Sequence, residues 1–461
     1  MGALFSVLAA IFWGVLVLSL LVFVHEGGHF LAARACGVRA TEFFLGLPSR
    51  FRLSWKHPKI GTEFGVTPLL LGGYTRISGM EGDVDPFLSD ALAIVQEAGR
   101  IRADELAARL GIDEARSYQM LAYLVDMGSI KPFYDPELGE YQNQPDWPAA
   151  FMTSKRDARG LTEYDAEHDF GSDGVTEEGQ PRPVADKQAF FDEETSHTYR
   201  GKGFLPRIFM LAAGPLVNLV LAVVLITATA MIQGFEIATN TNELGSVAEG
   251  SLAEEAGLKA GDRIVMYDNK DIADWNQLCD AIDASKQNGA SIPVAYERGS
   301  ETFETTINLP DEGEIDVIGI TVKFETYHPS FGEAVGFAFS YFGMVGSTIA
   351  RIIMPQHTIE IVSQSSSIVG ISAMASEAAS SGIADLIMFI AAISMSLGFM
   401  NLLPVPPLDG GKMLLEVIQL VTRKPLSTRF QAIVSYVGLA FFLFIFCFAL
   451  HNDLVMIMGR S

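Results

Sequence analysis

The chain has 461 residues, of which 49% are hydrophobic and 19% are charged, and its mean hydropathy is +0.27. These values argue against a fully soluble protein and against a purely membranous one, and they indicate membrane helices joined to water-soluble modules. The formal net charge is −23, which disfavours nucleic acid as the main partner because binding to a phosphate backbone needs a basic surface.

Four stretches free of Asp, Glu, Lys and Arg have about the 20-residue length that a bilayer requires. They predict a polytopic α-helical membrane protein with four transmembrane helices, at 1–24, 208–235, 386–408 and 430–450. The first stretch could be a signal peptide, but it lacks a basic N-terminal region and leads into His25 and Glu26 instead of a cleavage site. We expect it to remain in the mature protein.

Lys and Arg cluster after the first span, before the second, and between the third and fourth. Because such clusters mark cytoplasmic loops, these three loops are predicted to be cytoplasmic. Both termini and the segment 236–385 then face outward. The shorter apolar run 334–350 is predicted to lie in the membrane interface and not to cross it.

Two soluble modules are predicted between the spans. Residues 236–325 resemble a bacterial PDZ domain, with Gly257 and Gly261 placed to end a short helix and turn into a strand. A small β-rich domain without a peptide ligand is the alternative. Residues 81–203 form a cytoplasmic insertion that looks like a winged helix at about 88–133, followed by an acidic, loosely ordered segment. Its basic residues are offset by acidic ones, so contact with protein or plain scaffolding is favoured over DNA binding.

The sharpest motif is His25-Glu26-Gly27-Gly28-His29, at the cytoplasmic end of the first span. Residues four apart share one helix face, so both imidazoles can reach one Zn²⁺ with Glu26 placed as general base. The alternative to a metal site is a run of polar residues at a membrane interface. Ionisable groups inside a membrane are rare unless they are functional, which weakens this alternative. The three cysteines are too widely spaced to form a Cys-rich metal site.

Two histidines leave zinc without a third protein ligand. Asp409 follows the third span and is predicted to reach the same side and depth as His29, where a carboxylate would suit zinc. An Asp before two glycines is often a turn residue. Pro404, Pro406 and Pro407 favour the ligand role, because broken helix in a membrane is tolerated only where it lines a cavity or lies inside protein.

These motifs resemble those of the site-2 protease family of intramembrane zinc metalloproteases, in its bacterial RseP-like branch. The resemblance covers nearly the whole chain outside 81–203. It rests on H-E-x-x-H at 25–29, N-x-x-P-x-P-x-x-D-G at 401–410, and G-P-x-x-N at 214–218. One PDZ-like module is present where the best-known branch has two, and the insertion is not part of the common core.

The resemblance implies roles for individual residues. His25, His29 and Asp409 would bind zinc, with Glu26 as the catalytic base. The residues implied to bind substrate are Asn401, Gly72, Gly73, Tyr74, Asn218 and Pro404. Simple helix packing is the alternative for the motif that contains Asn218. Gly72, Gly73 and Tyr74 belong to a stretch that resembles the family's membrane-associated β-hairpin, predicted at 63–78.

The predicted organisation therefore has eight parts: the first transmembrane helix at 1–34, the hairpin region at 35–80, the insertion at 81–203, the second transmembrane helix at 204–235, the PDZ-like domain at 236–325, an interfacial helical region at 326–385, the third transmembrane helix at 386–412, and the fourth with the C-terminus at 413–461. The localisation implied is the bacterial inner membrane, with the active site near the cytoplasmic side and the PDZ-like domain outside.

The function implied is zinc-dependent cleavage of single-pass transmembrane proteins, such as an anti-sigma factor or a remnant signal peptide. Membrane lipid and a peptide or protein at the PDZ-like domain are the other expected partners. The alternative is a catalytically silent membrane sensor that binds peptides through the PDZ-like domain, but retention of all four residues His25, Glu26, His29 and Asp409 counts against it. A zinc transporter would need a polar path through several spans, and the spans contain few polar residues.

Overall fold

The computed structural model describes residues 2–80, 84–142, 144, 146–285, 290–310, 318–352, 354, 367–424 and 426–459. The chain forms two compact units, one made of Met1–Ile226 with Ala338–Ser461 and the other of Thr227–Phe337. In chain order the described helices are α1 Gly2–Ala35, α2 Leu88–Ala98, α3 Ala103–Leu110, α4 Glu114–Asp126, α5 Lys187–Ser196, α6 Phe204–Gln233, α7 Leu252–Glu255, α8 Trp275–Ser285, α9 Phe331–Arg351, α10 Ile368–Ser381, α11 Ile383–Asn401, α12 Asp409–Thr422 and α13 Thr428–Gly459.

The described strands are short and belong to five sheets. They are β1 Ala40–Leu45, β2 Leu53–Lys56, β3 Glu63–Val66, β4 Gly73–Ile77, β5 Arg100–Arg102, β6 Ile130–Phe133, β7 Ala150–Thr153, β8 Phe235–Ala238, β9 Leu244–Val247, β10 Arg263–Tyr267, β11 Lys270–Asp271, β12 Ser291–Arg298, β13 Glu301–Asn308, β14 Ile320–Val322 and β15 Phe324–Tyr327.

Four helices in the described part of the chain are long and apolar enough to cross a membrane, as predicted. They are Leu4–Ala35, Phe204–Gln233, Ile383–Asn401 and Arg429–His451. The third helix is shorter than the predicted span 386–408, because the prolines after Asn401 supply no backbone N–H to continue it. A separate helix, α12, then begins at Asp409. It crosses the predicted boundary between the third transmembrane part, which ends at 412, and the fourth, which begins at 413.

The region after α1 differs from the predicted hairpin. Strands β1 to β4 form one sheet in the order β2-β3-β1-β4, so β3 and β4 both pair with β1 and do not pair with each other. The buried side chains of Phe43 and Phe44 give β1 the central position. Strand β4 therefore lies at an edge of the sheet, and its Thr75 hydroxyl donates a hydrogen bond to the Glu26 carbonyl of α1 at 3.1 Å.

The insertion folds in the order helix, strand, two helices and two strands, with its three strands arranged β5-β7-β6. Its core contains Leu92, Leu106, Leu121 and Phe151, all buried. The segment 134–200 differs from the loosely ordered segment predicted from its composition, because it supplies β7, α5 and several buried charged side chains. The acidic side chains among these buried groups are neutralised by arginines, so they can lie away from water.

The second unit is rich in β-strands, which both the PDZ-like domain and the alternative small β-rich domain would contain. Its main sheet has the order β11-β10-β12-β13, and apolar side chains such as Ile264, Tyr267 and Leu278 fill its core. Asp262, after Gly261, accepts hydrogen bonds from the Lys259 backbone and the Arg298 guanidinium. The Asp262 side chain thus stabilises the turn at 257–262.

Candidate metal centre

Helix α1 brings the two histidines of the H-E-x-x-H motif together. The Nε2 atoms of His25 and His29 lie 3.2 Å apart, and each residue is only 8% exposed. Their spacing of four residues puts both rings on one helix face. Glu26, one residue after His25, lines the same pocket and remains half-buried.

Asp409, the first residue of α12, completes a group of three ligand atoms. Its Oδ2 lies 3.1 Å from Nε2 of His25 and 3.3 Å from Nε2 of His29. Ligands held at about 2.0–2.1 Å around a tetrahedral zinc ion are about 3.3 Å from one another. The two imidazoles and the carboxylate therefore fit zinc in both chemistry and spacing.

Glycines allow α6 to approach this part of α1. A Cβ atom on Gly28 would lie 2.6 Å from the Ala213 carbonyl oxygen, and a Cβ on Gly214 would lie 2.4 Å from Nε2 of His29. Both distances are shorter than any normal contact. Gly27, in contrast, has open space beside it. The glycine of the G-P-x-x-N motif thus makes room for a metal ligand.

The three ligand residues and Glu26 line a pocket of about 310 Å³. Of the residues predicted to bind substrate, Tyr74 and Asn401 also line it. Gly73 packs close to Glu26, since a Cβ there would lie 3.5 Å from the Glu26 Cγ. Strand β4 and the end of α11 therefore border the pocket that Glu26 lines.

The other predicted substrate-binding residues lie elsewhere. Gly72 precedes β4 and is not among the residues that line this pocket. Pro404 is exposed and lines a different cavity, of about 440 Å³. Asn218 is fully buried behind His25, with its Nδ2 3.5 Å from the His25 Nδ1. These three residues are therefore not among the residues that line the pocket with Tyr74 and Asn401.

Sequence reasoning missed several residues at the pocket. The Met210 carbonyl oxygen lies 2.8 Å from the His29 Nδ1, and no side-chain pattern could have indicated this backbone group. Tyr199 lines the pocket and donates its hydroxyl to Glu416 at 3.0 Å. Burial and the nearby Glu416 carboxylate raise the pKa of Tyr199, so its phenol stays protonated. Lys412 also lines the pocket, one turn after Asp409.

Comparison with known proteins shows the family of this chain. Residues 13–445 match the peptidase family M50. The chain belongs to this family. It is 26% identical over 451 residues to the regulator of sigma-W protease RasP of Bacillus subtilis, covering 95% of this chain and 97% of that protein. It is also 26% identical over 457 residues to the zinc metalloprotease RasP of Shouchella clausii, again covering 95% and 97%.

The family and these relatives establish the enzyme class. The protein is a zinc metalloprotease of the M50, or site-2 protease, family. Its four apolar helices, with the H-E-x-x-H motif inside the first of them, make it an intramembrane protease. The family match therefore does not support the alternative of a catalytically silent sensor.

Proposed function

We propose that the enzyme cleaves transmembrane segments of single-pass proteins that have already been trimmed outside the membrane, of the anti-sigma-factor or remnant-signal-peptide type. The observation that carries the proposal is the position of the site: His25, Glu26 and His29 lie in a 34-residue apolar helix. A pocket within such a helix bundle is suited to a peptide that is itself in the membrane. The Bacillus subtilis relative is named for regulation of sigma-W, which supports a regulatory substrate.

In this proposal His25, His29 and Asp409 hold the zinc ion. Zinc, when bound, polarises the scissile carbonyl and lowers the pKa of water. Glu26 accepts a proton from the attacking water and delivers it to the leaving amine. Its place beside the proposed ligands in the pocket lets one carboxylate serve both proton transfers.

Peptide bonds in a membrane helix are protected because each carbonyl accepts an internal hydrogen bond. We expect the substrate to unwind locally and to replace those bonds with bonds to the enzyme. One edge of β4 pairs with no strand among the described residues, and β4 borders the pocket, so this edge is suited to strand addition. Asn401 already donates Nδ2 to the Leu397 carbonyl at 3.0 Å, which orients its carboxamide, so Oδ1 is the atom we expect to accept a substrate N–H.

The proposed location is the bacterial inner membrane, with the metal centre near the cytoplasmic side. The Lys and Arg residues that flank the spans support this orientation. The segment 236–325 would then be outside, where a PDZ-like domain could bind a peptide or filter substrates by size. The winged-helix-like insertion would be cytoplasmic and would contact protein.

The decisive experiment combines metal analysis with cleavage. Candidate single-pass proteins are co-expressed with wild-type enzyme and with Glu26→Gln, and the purified enzymes are assayed for zinc. We expect Glu26→Gln to retain about one zinc per chain and to lose cleavage, whereas His25→Ala, His29→Ala and Asp409→Ala lower the zinc content. Chelation of zinc should abolish wild-type cleavage, and added zinc should restore it.

Wild-type cleavage by purified Glu26→Gln protein would refute the assignment of the base. Full zinc content in Asp409→Ala would refute the third ligand. If none of the single-pass candidates were cut by an enzyme that hydrolyses a soluble peptide, the proposed substrate class would be wrong.

A further inference from the structure

Both histidines of the metal centre use the same ring nitrogen. The Nε2 atoms of His25 and His29 point to Asp409 Oδ2, at 3.1 and 3.3 Å. A metal held among these atoms would be bound through Nε2 of each histidine. The Nδ1 atom of each ring consequently points away from the metal and toward the surrounding protein.

A neutral imidazole that binds a metal through Nε2 carries its proton on Nδ1. That N–H needs an acceptor, because the acceptor fixes the tautomer and the orientation of the ring. For His29 the acceptor is the Met210 carbonyl of α6, at 2.8 Å. The corresponding neighbour of His25 is also on α6: the carboxamide of Asn218, at 3.5 Å from Nδ1.

The carboxamide of Asn218 can face His25 in two ways. With Nδ2 toward the ring, the amide would donate to Nδ1 and select the tautomer whose proton blocks Nε2. With Oδ1 toward the ring, the amide would accept the Nδ1 proton and leave Nε2 free for zinc. The two ends of a carboxamide are nearly the same size, so hydrogen-bond chemistry decides between them. Asn218 is 0% exposed, and its Oδ1 has no partner among the described residues when Nδ2 faces the ring.

We propose that Asn218 is a positioning residue that accepts the His25 Nδ1 proton through Oδ1. Helix α6 then fixes both histidine tautomers, with a backbone carbonyl for His29 and a side-chain amide for His25. This inference rests on the proposed zinc ligands, and it replaces the substrate-binding role implied for Asn218 by the family resemblance. Ser394 of α11 donates its hydroxyl to the backbone carbonyl of Asn218 at 2.8 Å, a contact that does not involve the carboxamide.

The test uses substitutions that separate accepting from donating. Asn218→Asp has almost the same shape, but an ionised carboxylate only accepts hydrogen bonds. Asn218→Leu has a similar size and does neither. Each change is made in full-length Glu26→Gln enzyme in detergent, and the zinc dissociation constant is measured by competition with a chelator. We expect the Asp variant to bind zinc within a few-fold of the Asn218 enzyme and the Leu variant to bind it about 10–100-fold more weakly.

A loss in Asn218→Asp as large as that in Asn218→Leu would overturn the proposal, because the residue would then be acting as a donor. Unchanged zinc affinity in Asn218→Leu would overturn it as well. If Asn218→Leu does not fold, Asn218→Ala removes both amide atoms without adding bulk and should show the same loss. Ser394→Ala is the matched control: it removes a contact to the Asn218 backbone only, and zinc affinity should stay near that of the parent.

These outcomes can be read separately from the proposed function. Cleavage plays no part in the zinc measurement, since the parent enzyme already lacks Glu26. If Asp409→Ala in the same background kept full zinc affinity, the ligand set would fail. A loss confined to Asn218→Asp and Asn218→Leu, with the ligand set intact, would reject the acceptor role alone.

Discussion

At the scale of single residues, the hydrogen atom that Gly214 carries in place of a methyl group leaves room for the His29 ring. Gly214→Ala would place a Cβ 2.4 Å from Nε2 of His29, far inside van der Waals contact. We expect this variant to bind zinc about 10–100-fold more weakly, because the ring must turn away from Asp409. Zinc content after gel filtration and chelator competition would measure the effect.

Gly27→Ala is the control for this prediction. It lies in the same motif, but nothing in the described part of the chain comes within 4 Å of the added Cβ. Zinc binding should be unchanged, and helix propensity should rise by about 1 kcal/mol. Equal zinc affinity in Gly214→Ala and Gly27→Ala would show that α6 does not confine His29.

At the scale of elements, the end of α11 and the edge of β4 border the pocket from different parts of the chain. If they hold an unwound substrate, Asn401→Ala should slow cleavage of helix-stable substrates most. Loss of the amide leaves backbone groups of the substrate unpaired, at about 1–3 kcal/mol. Gly or Pro near the scissile bond should reduce the penalty, because each lowers the cost of unwinding by about 1 kcal/mol or more.

The measurement is a set of cleavage rates for wild type and Asn401→Ala against substrates of graded helix propensity. Zinc content is determined in parallel, since Asn401 lies outside the ligand group and should leave it unchanged. An equal slowing of stiff and pre-unwound substrates would mean that Asn401 acts on the chemistry or on folding, and not on the substrate backbone.

At the scale of the whole molecule, buried ion pairs join the insertion to the segment that follows α1. The Arg39 guanidinium, 1% exposed, contacts Asp165 at 2.8 Å and Glu194 at 2.9 Å. Arg156 contacts Glu194 at 2.7 Å from its other side. Burial alone would raise the pKa of Glu194, but Arg156 and Arg39 outweigh it and hold that pKa well below its usual range. The pKa of Asp165 is lowered too, against burial, by His197 and Arg39.

Glu194→Gln should therefore destabilise the protein by about 3–5 kcal/mol near neutral pH, since it leaves two buried arginines without their shared anion. A carboxyl whose pKa is lowered by folding stabilises the folded state above its ordinary pKa, about 4.3 for Glu, and loses that contribution as the pH falls below it. The difference between wild type and Glu194→Gln should thus shrink in acid. Thermal unfolding in detergent at several pH values would measure it.

Glu97→Gln, on the exposed face of α2, makes the same change of charge and should shift the unfolding temperature little. A difference between wild type and Glu194→Gln that stayed constant into acid would contradict the role of the Glu194 charge. Equal stability of Glu194→Gln and Glu97→Gln would show that the ion pairs do not hold the insertion.

Deletion of 240–325 tests the role of the PDZ-like domain in the whole enzyme. The zinc ligands lie outside this segment, so the deleted protein should retain zinc. Cleavage should continue, with a changed set of accepted substrates. Loss of all metal would reject a purely regulatory role, and an unchanged substrate range would reject a role in selection.

The sequence by itself was sufficient for features that depend on local spacing and composition. Four spans follow from length and hydropathy, and the pairing of His25 with His29 follows from the helical repeat. The approach of Asp409 was predicted from topology and from the resemblance together. The spans and the histidine pair rest on residues close together in the sequence, whereas Asp409 is distant in sequence and was predicted from the order of the spans and from the resemblance.

Only the tertiary structure decided what distant elements do to one another. It placed β1 between β3 and β4 where a hairpin was expected, because pairing partners depend on which side chains become buried. The acidic segment 134–200 was predicted to be loosely ordered. It is folded because arginines from elsewhere in the chain and within the segment neutralise Asp165 and Glu194. Asn218, which the resemblance implied would bind substrate, instead lies on the Nδ1 side of His25. Side-chain patterns cannot predict a hydrogen-bond partner such as the Met210 carbonyl, because every residue has a backbone carbonyl.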